Sequence, residues 1–160
     1  MKKLIVALLF LVMASPAFGA GTIVIAAGGD EYLGANGRRI TYDIVFDASA
    51  AAFANIALDS IENSQGQTVA SLKGWYLSHI DYVYGTTGVT DDTSLYVWSV
   101  EDKIDILGAE GFEKLDEASY DTIFPLTLTR QLTGNEIMDI DDNAVNDATC
   151  TLIFHFYKSE

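Results

Sequence analysis

The sequence is short of the residues that brace a chain: one cysteine, Cys150, and two prolines in 160 residues. A lone cysteine excludes an intrachain disulfide framework and leaves Cys150 as an intermolecular bridge or a buried thiol. Basic residues are also scarce, nine against 23 acidic, for a formal charge of −14. Such a chain repels phosphate backbones, which argues against nucleic acid as a partner. Catalytic signatures are missing too, with no Gly-x-Ser-x-Gly elbow, no Ser-x-x-Lys and no His-Glu-x-x-His. Two histidines and one cysteine supply a zinc site poorly. After the first twenty residues, no apolar run approaches the ~20 residues of a membrane span.

The N-terminus is a separate object. Lys2 and Lys3 precede the apolar run Leu4–Met13, followed by Ala14-Ser15-Pro16-Ala17-Phe18-Gly19-Ala20. A charged start, a short apolar stretch and small residues at a cut site describe a secretory signal peptide, with cleavage expected after Gly19. The alternative, an uncleaved anchor, would need about 20 apolar residues. Removing residues 1–19, which hold Lys2 and Lys3 and no acid, leaves 141 residues with seven basic against 23 acidic, or −16. The expected product is one exported domain, residues 20–160, periplasmic or extracellular. Its charge would be repelled by an anionic lipid surface, so no membrane partner is expected after cleavage.

The remainder reads as strands. In Arg39–Asp47, Ile40, Tyr42, Ile44 and Phe46 fall on one face and Arg39, Thr41, Asp43 and Asp47 on the other, the period of a half-buried strand. Near the C-terminus Cys150, Leu152, Phe154 and Phe156 alternate with Thr149, Thr151, His155 and Tyr157. Gly74–Tyr84 and Ser94–Val100 are rich in aromatic and β-branched residues, and Thr22–Ala27 and Thr122–Arg130 are further candidates. Asn36-Gly37 signals a tight turn, and the stretches Gly85–Asp92 and Thr133–Asn146 read as turn-rich. Ala48–Ile61 is ambiguous. Its alanines favour a short helix near residues 48–55, whereas Asn55–Ile61 alternates as a strand would. About seven short strands without amphipathic helices predict an all-β fold, a single antiparallel β-sandwich of jelly-roll or immunoglobulin-like type.

Candidate chemistry is sparse. Cys150 shares the phase of Leu152, Phe154 and Phe156, which predicts burial, and His155 then faces the opposite side. His79 reads as a strand surface residue. Asp139, Asp141, Asp142, Asn143 and Asp147 form an oxygen-rich cluster that could hold Ca²⁺ at the end of a sandwich. The EF-hand pattern fails, with Ala144 where glycine is needed and Cys150 where the bidentate glutamate belongs, and Asp and Asn are ordinary turn formers. No other cofactor is expected. Trp75, Tyr76, Tyr96 and Trp98, together with Tyr82 and Tyr84, could line a sugar-binding face or pack a core. In Leu95-Tyr96-Val97-Trp98 both faces are apolar, so one is a candidate for contact with another protein.

From residue 74 to 157 a series of landmarks stands in order: Gly74-Trp75-Tyr76-Leu77, Thr90-Asp91-Asp92-Thr93-Ser94-Leu95-Tyr96-Val97, Asp105-Ile106-Leu107-Gly108, and a closing strand after Asn143-Ala144-Val145-Asn146. In this order the chain resembles small β-rich structural proteins encoded among the virion genes of tailed bacteriophages. The resemblance implies a non-enzymatic particle component that assembles with copies of itself or with other virion subunits. The leading expectation is therefore a non-enzymatic structural or assembly protein, of virion type or exported to the cell envelope. The alternative is an extracellular Ca²⁺-dependent or carbohydrate-binding sandwich. The strand Thr22–Ala27, freed by signal cleavage, is also a candidate to pair with the sheet edge of a neighbouring subunit.

Overall fold

The computed structural model describes residues 21–46, 53–116, 119–126 and 129–159, without the side chains of residues 54 and 55. The expected signal peptide, residues 1–19, and positions 48–52 of the expected helix lie outside the described residues. Among the described residues nine strands run in chain order: β1 (Thr22–Tyr32), β2 (Gly37–Val45), β3 (Phe53–Ala57), β4 (Tyr76–Tyr84), β5 (Ser94–Ser99), β6 (Ile104–Asp105), β7 (Asp121–Ile123), β8 (Glu136–Asp141) and β9 (Thr149–Tyr157). They form a five-stranded sheet, β1-β2-β9-β4-β7, and a four-stranded sheet, β3-β8-β5-β6. All the strand pairs within the two sheets are antiparallel. The fold is the all-β sandwich that the alternating pattern predicts.

The centre of the larger sheet follows from period-two patterning. On β2, Ile40, Tyr42 and Ile44 turn inward, opposite Phe154, Leu152 and Cys150 of β9. Each of these side chains is buried, a gain of about 1.5–3 kcal/mol for a fully buried large apolar residue. The rings of Tyr42 and Phe154 meet edge to face at 5.3 Å, a favoured aromatic geometry. Cys150 is buried and free, as its phase predicts. Burial, followed by the nearby Asp43 charge, pushes its thiol up to about 12.

Arginine joins the apolar side chains of this interior. Arg38, in phase with Ile40, is fully buried (0% exposed). It binds Asp30 through two parallel hydrogen bonds, Nε to Oδ1 at 2.8 Å and Nη2 to Oδ2 at 2.9 Å. Its Nη1 donates to the Ala70 carbonyl at 2.9 Å, and the guanidinium lies over the rings of Tyr32 and Trp75. The β1–β2 register shifts between Ile25 and Asp30, around Gly28 at φ 71°, and resumes with Asp30 opposite Ile40. The irregularity leaves Asp30 within reach of Arg38.

Three elements depart from the sequence reading. Residues 53–55, part of the expected helix, belong to strand β3, and a 3-10 turn, Leu58–Ser60, follows it. The turn-rich stretch Thr133–Asn146 contains strand β8. There Glu136, Met138 and Ile140 point inward and Ile137, Asp139 and Asp141 outward; the acidic composition masks a period of two. Of the strand expected over Thr122–Arg130, the described residues, which leave out 127 and 128, keep only the part within Asp121–Ile123. Pro125 has no N–H to give a ladder, and the next amide, Leu126 N, donates to Leu107 O at 3.2 Å. Among the described residues no helix is long and apolar enough to cross a membrane.

Candidate functional site

The outer face of the five-stranded sheet gathers His79, Asp81 and His155, on neighbouring strands β4 and β9. Strict alternation along β4 would place Leu77 and His79 on the same face. Instead the β4–β9 register shifts between Leu77 and His79, and the ladder resumes with His79 opposite His155. This β-bulge turns His79 outward, beside Asp81, while Leu77 and Ile80 stay buried. Bulges commonly re-aim a side chain in this way.

The resulting cluster is tight. The imidazoles stack with centroids 4.1 Å apart and planes 11° from parallel. His155 Nε2 lies 3.1 Å from Asp81 Oδ2, and His79 Nε2 lies 3.9 Å from the same oxygen. One ligand atom from each residue falls within 4.8 Å of the others. Neighbours fix the outer atoms of the set. Thr122 Oγ1, on β7, donates to Asp81 Oδ1 at 2.8 Å. Ser78 Oγ and His79 Nδ1 are 3.0 Å apart, and the Phe124 ring sits 5.8 Å from the His79 ring. All three ligand side chains are half-buried. Burial and then the adjacent His79 push the His155 pKa below its ordinary value, and Asp81 opposes them in part.

The acidic candidates are placed differently. Asp139 and Asp141 project from the outer face of β8, on the other sheet. Asp142 and Asp147 occupy left-handed turn positions at φ 70° and 53°, which Asp tolerates better than most residues. Asn143 is buried, and its side chain serves the loop. Its Oδ1 accepts from Val145 N at 3.2 Å and Thr90 N at 3.3 Å, and its Nδ2 donates to Val145 O at 2.9 Å. Burial, then Asp139 and Asp142, push the Asp141 carboxyl above its ordinary range.

The four aromatic candidates do not form one surface. Trp75 is buried, which puts it in the core rather than on the candidate binding face, the other of the two places its sequence offered. Tyr76 stacks on Tyr157 at 5.2 Å on the five-stranded sheet. Tyr96 and Trp98 stack on each other at 6.0 Å on the four-stranded one. The candidate pairing strand Thr22–Ala27 is engaged within its own chain, Thr22 through Ile25 opposite Val45 through Tyr42.

A second surface feature lies beside the histidines. Of the four most exposed large apolar side chains among the described residues, three fall in the stretch 120–126: Tyr120 at 68%, Phe124 at 57% and Leu126 at 67%. Tyr84, on β4, packs against Tyr120 at 5.1 Å. They flank β7, a three-residue edge strand. The sequence marked Thr122–Arg130 as a strand; the exposure of its apolar residues follows from how briefly it pairs with β4.

No protein-family model matches this chain, and no curated protein does. Among solved structures, it is similar to a chain described as "Cyanophage Pam1 capsid asymmetric unit". The identity is 14%, the likeness covers 91% of this chain and 92% of that one, and the TM-score is 0.30. This is a weak likeness to a phage virion protein, in keeping with the resemblance read from residues 74–157, and it carries no argument about function.

Proposed function

We propose that the chain is a non-enzymatic assembly subunit that works by contact with other protein subunits, copies of itself first among them. The observation that carries this reading is the gathering of three strongly exposed apolar side chains, Tyr120, Phe124 and Leu126, within seven residues at the β4–β7 edge, with Tyr84 against Tyr120. Large apolar side chains left exposed together on one edge cost solubility and mark protein contact sites. A short edge strand also leaves backbone groups of β4 and β7 for an added strand. Export after cleavage at Gly19 and incorporation into a virion are the two settings the sequence suggests. The N-terminal residue of the natural protein separates them in part, since cleavage would leave Ala20 first.

The test is a Phe124→Asp, Leu126→Asp double variant, compared with the parent by sedimentation velocity at matched concentrations. The expected result is a larger species for the parent and a monomer for the variant, with unchanged far-UV circular dichroism. Identical sedimentation of the two would overturn the role of this edge. The Ca²⁺ reading rests on the crowding of Asp139, Asp141 and Asp142, and calorimetric titration with CaCl₂ tests it.

A further inference from the structure

The geometry points to a metal site that the assembly reading does not require: His79, Asp81 and His155 bind a divalent transition-metal ion of the Zn²⁺ type through two imidazole nitrogens and one carboxylate oxygen. Bonds of about 2.0–2.1 Å around a tetrahedral ion set ligand atoms about 3.3 Å apart. The metal-free chain already approaches that spacing, with Asp81 Oδ2 3.1 Å from His155 Nε2 and 3.9 Å from His79 Nε2. The imidazoles, stacked 11° from parallel, must tilt apart to turn both Nε2 lone pairs onto one ion. Imidazole ligands select Zn²⁺ and its neighbours over Ca²⁺, which takes oxygen.

The surroundings fit a built site. Metal-ligating histidines usually donate the other ring N–H to a nearby acceptor, and ligating carboxylates are themselves hydrogen-bonded. Here Ser78 Oγ is placed to accept from His79 Nδ1–H, which leaves Nε2 as the free lone pair. Thr122 Oγ1 holds Asp81 Oδ1 and leaves Oδ2 for the ion. In the metal-free chain, His155 Nε2–H donates to Asp81 Oδ2. On binding, the ion replaces this hydrogen and the ring proton moves to Nδ1. Three protein ligands leave a fourth position for water or for a group from another molecule. The ion would lie beside Phe124, whose ring flanks His79.

The test uses chelator-stripped protein titrated with ZnCl₂ at pH 7.5 by calorimetry, with CoCl₂ as a coloured substitute. We expect one ion per chain, a visible absorption band of four-coordinate Co²⁺, and a rise in Tm of about 5 °C at saturating Zn²⁺. His79→Ala and His155→Ala should each weaken binding by at least ~100-fold, and Thr122→Val by roughly 10-fold. Asp139→Asn with Asp141→Asn, on the other sheet, should leave Zn²⁺ binding unchanged. If an alanine variant fails to fold, the imidazole proton resonances of the parent protein on adding Zn²⁺ provide the readout. Absence of binding heat and of imidazole shifts in folded protein would overturn the proposal. So would Zn²⁺ binding that survives loss of both histidines.

Discussion

Replacing Asp30 by alanine should destabilise the chain through a residue it leaves behind. Arg38 is fully buried, and Asp30 accepts two of its hydrogen bonds. Its Nη1 donates to a neutral carbonyl, that of Ala70, and among the described residues no carboxylate besides Asp30 is paired with it. Breaking a buried pair by removing one partner costs about 3–5 kcal/mol, most of it from the uncompensated charge. The Asp30 side chain is 27% exposed, so water can partly replace it, which places Asp30→Ala near the lower end, at about 3 kcal/mol. For a domain of this size each kcal/mol moves Tm by ~2–4 °C, so the expected fall is about 6–12 °C. Urea unfolding followed by circular dichroism measures the change directly. The double variant Asp30→Ala, Arg38→Met removes both charges and should lie within ~1 kcal/mol of the parent, since replacing both partners by apolar groups is often nearly neutral. A cost under ~1 kcal/mol for Asp30→Ala, or a double variant as unstable as the sum of the singles, would refute the reasoning.

Two further outcomes follow from the interior. Cys150, buried with its thiol pushed up to about 12, should resist thiol reagents at pH 8 and react fully once the chain is unfolded. Because the native state holds this proton where the unfolded state has lost it, stability should fall as pH rises above ~8.5, and Cys150→Ala should remove that part of the slope. Thr93 Oγ1 is buried with no hydrogen-bond partner among the described residues. Thr93→Val should therefore raise stability by ~1 kcal/mol, read as a higher urea midpoint at unchanged m-value.

How much of this was legible in the sequence depends on how local each feature is. Strands β2 and β9 announce themselves because Ile40, Tyr42 and Ile44, and Cys150, Leu152, Phe154 and Phe156, alternate without interruption. Arg38 could have been placed inside by extending the phase of Ile40 two residues back, against the habit of reading arginine as surface. Strand β8 escaped because its outward positions are Asp139 and Asp141, residues that otherwise signal turns. The histidine cluster was beyond pattern reading for a different reason. Asp81 and His155 are 74 residues apart, and although His79 and Asp81 share the outer face by plain alternation, only the β4–β9 register, resumed after a bulge, sets His79 opposite His155. Neither register nor bulge leaves a periodic trace in the sequence.

The central claim, assembly through the β4–β7 edge, is tested most directly by the weight-average mass of the purified protein in light scattering, measured against concentration and salt. Copies carrying −14, or −16 after cleavage, repel one another, and salt screens that repulsion within about 10 Å at 0.1 M. The expected mass lies above that of the monomer and rises with protein concentration and with salt, because apolar contacts hold the copies together. A monomer mass at every concentration and salt level would contradict it.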